Sequence, residues 1–284
     1  MRLIAAALLG VSSLLAASPA DLEHARKLYS KTDYDGSLKI LQAIDPKDSP
    51  VYELIGQNYY MLADYKKATE SLEKAQAGEP GNSDYELWLG RAFGRRAETD
   101  SPFTAPAHAS KARQHFEKAV ELNPRNLEAL SDLFEYYLQA PGFLGGGLDK
   151  ATGIAGRIAA IDPAEGHGAE AKLAEHRKEF DTAERQLQMA VQMAPRQVER
   201  LIDLAKFLAK QGRYQESEQN FRKAEKIAPN DPRLIYARAD IYIQQGRNLK
   251  TAQELLRLYL AAQLTPDDPP RADAEKLLRK AAGG

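Results

Sequence analysis

The sequence predicts an all-α protein, built as a solenoid of antiparallel helix pairs. Alanine is abundant and β-branched residues are few among the 284 residues, a composition that favours helix. One pattern of small and large apolar residues also returns five times along the chain, and every copy ends at a proline. Repeated units of this kind stack on their neighbours and bury a continuous core.

The repeated pattern has steps of four, three and five residues. Its copies are Ala68, Leu72, Ala75, Pro80; Ala112, Phe116, Ala119, Pro124; Ala151, Ala155, Ile158, Pro163; Ala183, Leu187, Ala190, Pro195; and Ser217, Phe221, Ala224, Pro229. Steps of four and three keep side chains on one stripe of a helix, and small residues there let a neighbouring helix approach closely. Proline ends the helix because it has no N–H and disfavours helical geometry in the residue before it.

The N-terminus, MRLIAAALLGVSSLLAASPA, is typical of a secretory signal at residues 1–20. Arg2 precedes an uncharged apolar run, and small residues at positions 18 and 20 precede Asp21. An uncleaved anchor is the alternative, but the run is short and interrupted for a membrane span. We therefore expect cleavage before Asp21, export to the periplasm, and no integral membrane span in the mature chain.

Helix pairing predicts seven units in a solenoid over residues 21–265. The units are 21–48, 49–82, 83–126, 127–165, 166–197, 198–231 and 232–265. The first and last units are degenerate, as expected of terminal repeats. Residues 266–284 are expected to form a closing helix and tail.

Two of these units carry insertions. Successive prolines lie 34 residues apart in the sixth unit, but 44 apart in the third and 39 apart in the fourth. The excess falls around ETDSPFTAPAHA (98–109) and in APGFLGGGLDKA (140–151). Equivalent turns of neighbouring repeats share one edge of a solenoid, so Ser101–Pro106 and Pro141–Leu148 are expected to pack together through Phe103 and Phe143. A partner site at this edge and an additional patch of core remain open alternatives.

These residues resemble the tetratricopeptide repeat, a 34-residue helix–turn–helix unit. Residues 49–82 match nearly every signature position except the first Trp, which is Tyr52 here. Residues 198–231 have the right length, with Ala205 for the signature Gly and Leu208 for the Tyr. The two insertions also look like those of a group of exported bacterial repeat proteins. The resemblance implies a right-handed superhelical solenoid, with a concave groove lined by the first helix of each unit.

Carrying the family's positions over predicts the residues that line the groove. They are Gln57, Tyr60, Met61, Leu87, Trp88, Arg91, Arg95, Ser131, Asp132, Glu135, Leu138, Ile202, Asp203, Lys206, Lys210, Tyr236, Asp240 and Ile243. The expected partner-binding residues are Tyr60, Trp88, Arg91, Arg95 and Glu135 in the groove, with Phe103, Phe143 and Leu144 at the loop edge. The basic, aromatic patch in the third unit would hold a carboxylate or an acidic stretch of a peptide. Alternatively, Arg91 and Glu135 pair with each other.

The sequence argues against several other functions. The formal net charge of −1 gives no basic footprint for nucleic acid, and the absence of cysteine excludes disulfides and thiol chemistry. No metal-binding or nucleophile motif is present, and Leu148 and Asp149 interrupt any match to a phosphate-binding loop. No catalytic residue, metal or cofactor is predicted.

We therefore expect a non-enzymatic scaffold of the bacterial cell envelope that binds a peptide or protein through the groove and the two insertions. One alternative is a structural protein that assembles into homo-oligomers or braces an envelope complex. The other is a binder of a small ligand, such as a glycan or lipid fragment, under the Gly-rich loop.

Overall fold

The computed structural model describes residues 19–283, and this part of the chain is entirely helical. Its α-helices are α1 (Pro19–Ser30), α2 (Tyr34–Ala43), α3 (Ser49–Met61), α4 (Tyr65–Gly78), α5 (Ser83–Thr99), α6 (Ala105–Leu122), α7 (Leu127–Gln139), α8 (Leu148–Ile161), α9 (Pro163–His176), α10 (Phe180–Met193), α11 (Val198–Lys210), α12 (Tyr214–Ile227), α13 (Pro232–Gln244), α14 (Leu249–Ala261) and α15 (Arg271–Gly283). A short 3-10 helix, Gly142–Leu144, lies between α7 and α8.

The expected signal segment falls on residues outside this description, apart from Pro19 and Ala20, which begin α1. Among the fifteen helices of residues 19–283, none combines the length and the apolar character needed to cross a bilayer.

Odd-numbered and even-numbered helices pack in antiparallel pairs, and the pairs stack in chain order. All five copies of the predicted stripe are buried between them, which confirms the all-α solenoid. Two glycines show how closely the two helices of a pair approach each other. A methyl group at Gly56 would lie 2.5 Å from Cγ of Leu72, and one at Gly90 would lie 2.5 Å from the ring of Phe116.

The helix ends follow from local sequence. In each of the five copies the second helix ends two residues before the proline of the pattern, at Gly78, Leu122, Ile161, Met193 and Ile227. Asp and Asn residues cap several helix starts; for example, Oδ1 of Asn126 accepts the N–H of Ala129 at 3.1 Å.

The insertion of the third unit differs from the expectation. It lengthens the two helices instead of forming a long loop: α5 has 17 residues and α6 has 18, compared with 13 and 14 for α3 and α4. The alanine-rich sequence after Thr104 continues as helix because alanine is the best helix former. Only residues 100–104 remain as the turn.

The insertion of the fourth unit forms a loop that is hydrogen-bonded to the preceding helix, α7. The hydroxyl of Tyr136 donates to the carbonyl of Leu144 at 2.9 Å, and the N–H of Gly147 donates to the carbonyl of Tyr137 at 2.8 Å. Gly145 has a φ of +88°, and a methyl group at Gly146 would lie 1.8 Å from the carbonyl oxygen of Ala140. The loop conformation therefore requires glycine at both positions.

The expected packing of the two insertions through Phe103 and Phe143 is wrong. Their side chains are 96% and 83% exposed. The loop rests on α6 and α7 instead, where Gly145 approaches the side chain of Arg113. Neither ring is therefore part of the core.

The closing helix α15 packs on α13 and α14, and Leu277 and Leu278 pack against the core of the last pair. The curvature of the solenoid brings this end back to the beginning of the chain. Oδ1 of Asp273 in α15 lies 3.9 Å from Nη2 of Arg95 in α5.

Candidate functional site

A cavity of about 460 Å³, here called the loop pocket, lies between α5, α6, α7 and the Gly-rich loop. Five of the eight predicted partner-binding residues line it: Tyr60, Arg91, Arg95, Glu135 and Leu144. Most of the remaining lining is apolar, and the charged groups lie around it. An apolar recess with a few convergent polar groups is the usual form of a ligand site.

Small residues and the two insertions create this pocket. Gly94, Ala97, Ala109 and Ala112 line it from the two lengthened helices, and Pro141 and Leu144 line it from the loop. A methyl group at Gly94 would meet no atom within 4 Å beyond its own helix and chain neighbours. The space therefore exists because side chains are absent, and it is large enough for an apolar side chain of a partner.

Arg91 is held by carboxylates of α7, although Glu135 is not one of them. Its Nε donates to Oδ2 of Asp132 at 2.6 Å, and its Nη2 donates to Oε2 of Glu128 at 3.0 Å. The predicted alternative of an Arg91–Glu135 pair is therefore wrong, because the facing carboxylate is one helical turn earlier. Two carboxylates also offset the charge of Arg91, so the patch is not basic as expected.

Burial affects the ionisation of this pair. It raises the pKa of the Asp132 carboxyl, and the Arg91 guanidinium opposes that rise. The guanidinium also lies 5.0 Å from the ring centroid of Trp88, within the range of a cation–π contact.

Aromatic rings form one wall next to the ion pair. Tyr60 contacts both Trp88 and Tyr65 edge to face, with centroids 5.4 and 5.5 Å apart. Burial raises the pKa of Tyr60 to about 12, so its hydroxyl stays protonated at neutral pH. Nε of Arg95 donates to the hydroxyl of Tyr65 at 3.0 Å, and its Nη1 donates to Oε2 of Glu98 at 2.7 Å, so this guanidinium is also paired.

Glu135 forms an ion pair with Lys172 of α9. Lys172 belongs to the fifth unit, which contains none of the predicted groove residues. It lines a second cavity of about 720 Å³, here called the central cavity, together with Asp203, Lys206 and Lys210. Lysines and carboxylates alternate here, and Nζ of Lys210 lies 3.3 Å from Oε2 of Glu175.

A third cavity of about 680 Å³, here called the front chamber, lies at the N-terminal end of the groove. Trp88 and Glu53 line it, together with Pro266 and Asp267 from the far end of the chain. Burial, with smaller contributions from Asp84 and Glu79, raises the pKa of the Glu53 carboxyl to about 7.

Four residues expected in the groove are buried in the core instead. Met61, Leu87, Ile202 and Ile243 are 2–9% exposed. Neighbouring side chains on a helix point about 100° apart, so an error of one residue in the alignment moves a side chain from the groove to the core. Trp88 is partly exposed in the front chamber, while the preceding residue, Leu87, borders the same chamber but is only 2% exposed.

His115 has structural surroundings. His115 stacks on Phe93, and its Nδ1 lies 2.6 Å from Oε2 of the buried Glu86. No group of three or more metal-ligating side chains occurs in residues 19–283. The loop pocket and the two groove cavities thus lie along the concave face of a helix-pair solenoid.

Comparisons with known proteins agree with this architecture. The family model described as tetratricopeptide repeat matches residues 198–231. A tetratricopeptide repeat protein from Parabacteroides merdae has a TM-score of 0.60 at 16% identity, covering 93% of this chain and 98% of that chain. A thermophilic TPR protein from Thermus thermophilus has a TM-score of 0.54 at 20% identity, covering 66% of this chain and 97% of that one.

A third similar structure is the APC/C hetero-tetramer Cut9–Hcn1, with a TM-score of 0.53 at 15% identity; the match covers 93% of this chain and 49% of that chain. A search of curated proteins found no match. The fold is therefore that of tetratricopeptide repeat solenoids, and the sixth predicted unit, residues 198–231, matches the sequence model of the repeat.

Proposed function

We propose that this protein is a non-enzymatic scaffold of the bacterial cell envelope that binds a peptide or a protein segment along its concave groove. The observation that carries the proposal is the loop pocket, a recess of about 460 Å³ formed by small helix residues and the Gly-rich loop. An apolar side chain of the partner would insert there. Hot spots of binding are typically such anchors in preformed pockets.

The charges along the groove favour a segment of mixed charge. Arg95 and Glu135 lie at the loop pocket, and Lys206 and Asp203 follow in the central cavity. Both signs of charge line the groove within a short distance, and a partner would exchange its own charges with existing pairs such as Glu135–Lys172 and Arg95–Glu98. A stiff groove of this kind binds with little ordering of its own side chains, which reduces the entropic cost of binding.

Two further observations support parts of the proposal. One similar fold was solved within a hetero-tetramer, Cut9–Hcn1. The envelope location rests on the N-terminal sequence with its apolar run and small residues before Asp21.

The test uses a substitution that fills the loop pocket and leaves the fold intact. Residues 21–284 would be used to capture partners from envelope extract, as the natural sequence and as the Gly94→Leu variant. Gly153→Leu is the matched control, because Gly153 is also a helix glycine with no neighbour within 4 Å, and it is exposed. We expect a specific protein to be lost only with Gly94→Leu. Equal capture by all three would contradict the proposed role of the pocket.

The volume also lies within the range of small-ligand sites, about 300–1,000 Å³, so a glycan or lipid fragment is the second candidate. A thermal-shift screen of glycan and lipid fragments distinguishes the two. Stabilisation of the natural sequence and of Gly153→Leu, but not of Gly94→Leu, would favour the small ligand over the peptide.

A further inference from the structure

The segment Leu264–Asp273, here called the latch, joins the last helix pair to α15 and meets the first helices of the chain. Pro266 and Asp267 line the front chamber beside Tyr29 and Trp88. The next residues line a separate cleft of about 290 Å³ together with Tyr34. Two regions more than 200 residues apart in sequence thus enclose shared spaces.

The latch has a fixed shape because the last helix pair satisfies its polar groups. The buried Asp268 accepts the N–H of Thr265 at 2.7 Å and its hydroxyl at 3.0 Å. The hydroxyl of Tyr259 donates to the carbonyl of Pro269, and Arg271 donates to the carbonyls of Leu260 and Ala262. The latch is therefore held by the C-terminal helices, and its residues Pro266 and Asp267 face the N-terminal end.

The contact with the N-terminal end is much weaker than this internal bonding. The ion pair across it, Arg95–Asp273, is 3.9 Å long, and its side chains are 33% and 40% exposed. Within residues 19–283, no helix of the first three pairs packs extensively against α13, α14 or α15. Asp267 also shares the front chamber with the acidic side chains of Glu53 and Asp84, which provide no opposite charge to hold it there.

We infer that the latch closes the N-terminal end of the groove in the free protein, and that a partner reaches Trp88 only after the latch has moved away. A firm internal structure and a weak outer contact are what a reversible closure needs, since elements that move are those with few stabilising contacts. The segment that walls the front chamber on this side is therefore part of the same chain. This inference rests on the proposed function only for the role of the partner.

The closed contact can be measured without any partner. The chain has no cysteine, so Lys31→Cys and Lys276→Cys, both at exposed positions, accept spin labels selectively. Double electron–electron resonance then gives the distance between the two ends. We expect one short, narrow distance distribution.

Trp88 supplies a second readout because it is the only tryptophan of the chain and lies in the front chamber. Quenching of its fluorescence by acrylamide reports access to the chamber. Asp268→Ala removes the internal support of the latch, and Asp273→Arg places a like charge opposite Arg95. Both variants should shift the spin-label distance to longer values and increase quenching.

Two controls separate the latch from general destabilisation. The double variant Arg95→Asp/Asp273→Arg restores an opposite-charge pair and should return both readouts toward the natural values. Glu275→Arg changes an exposed carboxylate of the same helix, so both readouts should stay unchanged.

A broad distance distribution in the natural sequence, or unchanged readouts in both latch variants, would overturn the inference. A short distance found only between labels on different molecules, with a dimeric mass, would also overturn it, because the latch would then belong to a second copy. Loss of partner capture in the preceding experiment does not affect these distances, so the two proposals fail separately.

Discussion

Nε of Arg91 lies 2.6 Å from Oδ2 of Asp132, and this short contact joins α5 to α7 across the floor of the groove. The side chains are only 22% and 28% exposed. Breaking such a pair from one side leaves a poorly solvated charge behind, which costs more than the pair itself contributes.

Arg91→Ala should therefore lower the free energy of unfolding by about 1–3 kcal/mol. The measurement is urea denaturation at neutral pH. Arg91→Ala combined with Asp132→Asn should be less destabilised than the sum of the two single variants, because it leaves no buried charge unpaired. Strict additivity would show that the contact has no role in stability. Loss of binding in Arg91→Ala alone is thus not a measure of partner recognition.

Gly146→Ala should disrupt the Gly-rich loop, because its Cβ would lie 1.8 Å from the carbonyl oxygen of Ala140. We expect a loss of about 1–3 kcal/mol in the free energy of unfolding and a distorted loop pocket. Gly142→Ala is the matched control in the same loop, since a methyl group there has no neighbour within 4 Å. Equal thermal unfolding of the two variants would contradict this account.

Glu53 should make stability depend on pH. Its pKa rises from 4.5 to about 7 in the folded protein, mainly through burial. The folded state therefore holds more protons than the unfolded state between these values, and this contribution makes the free energy of unfolding fall as the pH rises through that range.

Glu53→Gln should remove this loss, so that the variant is more stable than the natural sequence at pH 8 by about 1 kcal/mol, allowing for solvent screening of this partly exposed carboxyl. The advantage should disappear near pH 4.5. Denaturation curves across this range provide the measurement, and Glu73→Gln, at an exposed position of α4, is the control. A pH-independent difference between Glu53→Gln and the natural sequence would refute the shift.

Phe103→Ser/Phe143→Ser should leave the free energy of unfolding within about 0.5 kcal/mol of the natural value, because both rings are exposed. If the loop edge contacts the partner, affinity should fall by about tenfold, corresponding to roughly 1.4 kcal/mol. Calorimetry of unfolding and of binding checks the two statements independently. A marked drop in melting temperature would mean that the rings pack in solution.

The repeat and its helix ends could be predicted from the sequence because their causes are local. In five units, a proline two residues after the second helix and a stripe with fixed spacing act within one unit. The location of the candidate site was partly predictable for the same reason. Tyr60 and Arg95 follow from their places in the repeat.

The remaining features depend on how units rotate against each other, which no local pattern specifies. Arg91 pairs with Asp132 and not with Glu135, and a displacement of about one helical turn between α5 and α7 would exchange these partners. The insertion of the third unit is an exception, because its helix has a local cause: alanine favours helix, and Pro106 lies in the first turn of α6, where proline is tolerated. The latch has no sequence signal, since it joins residues such as Arg95 and Asp273 that belong to distant units.

The distance between the side chains of Arg95 and Asp273 depends on the geometry of the whole superhelix. Every helix pair between α5 and α15 adds its own small rotation, so an angular error at any interface accumulates until it reaches this contact. A substitution deep in α9 or α11 can therefore open the N-terminal end of the groove without touching it. Core packing in the middle of the chain therefore affects access to Trp88 near its beginning, because both depend on the summed rotations between helix pairs.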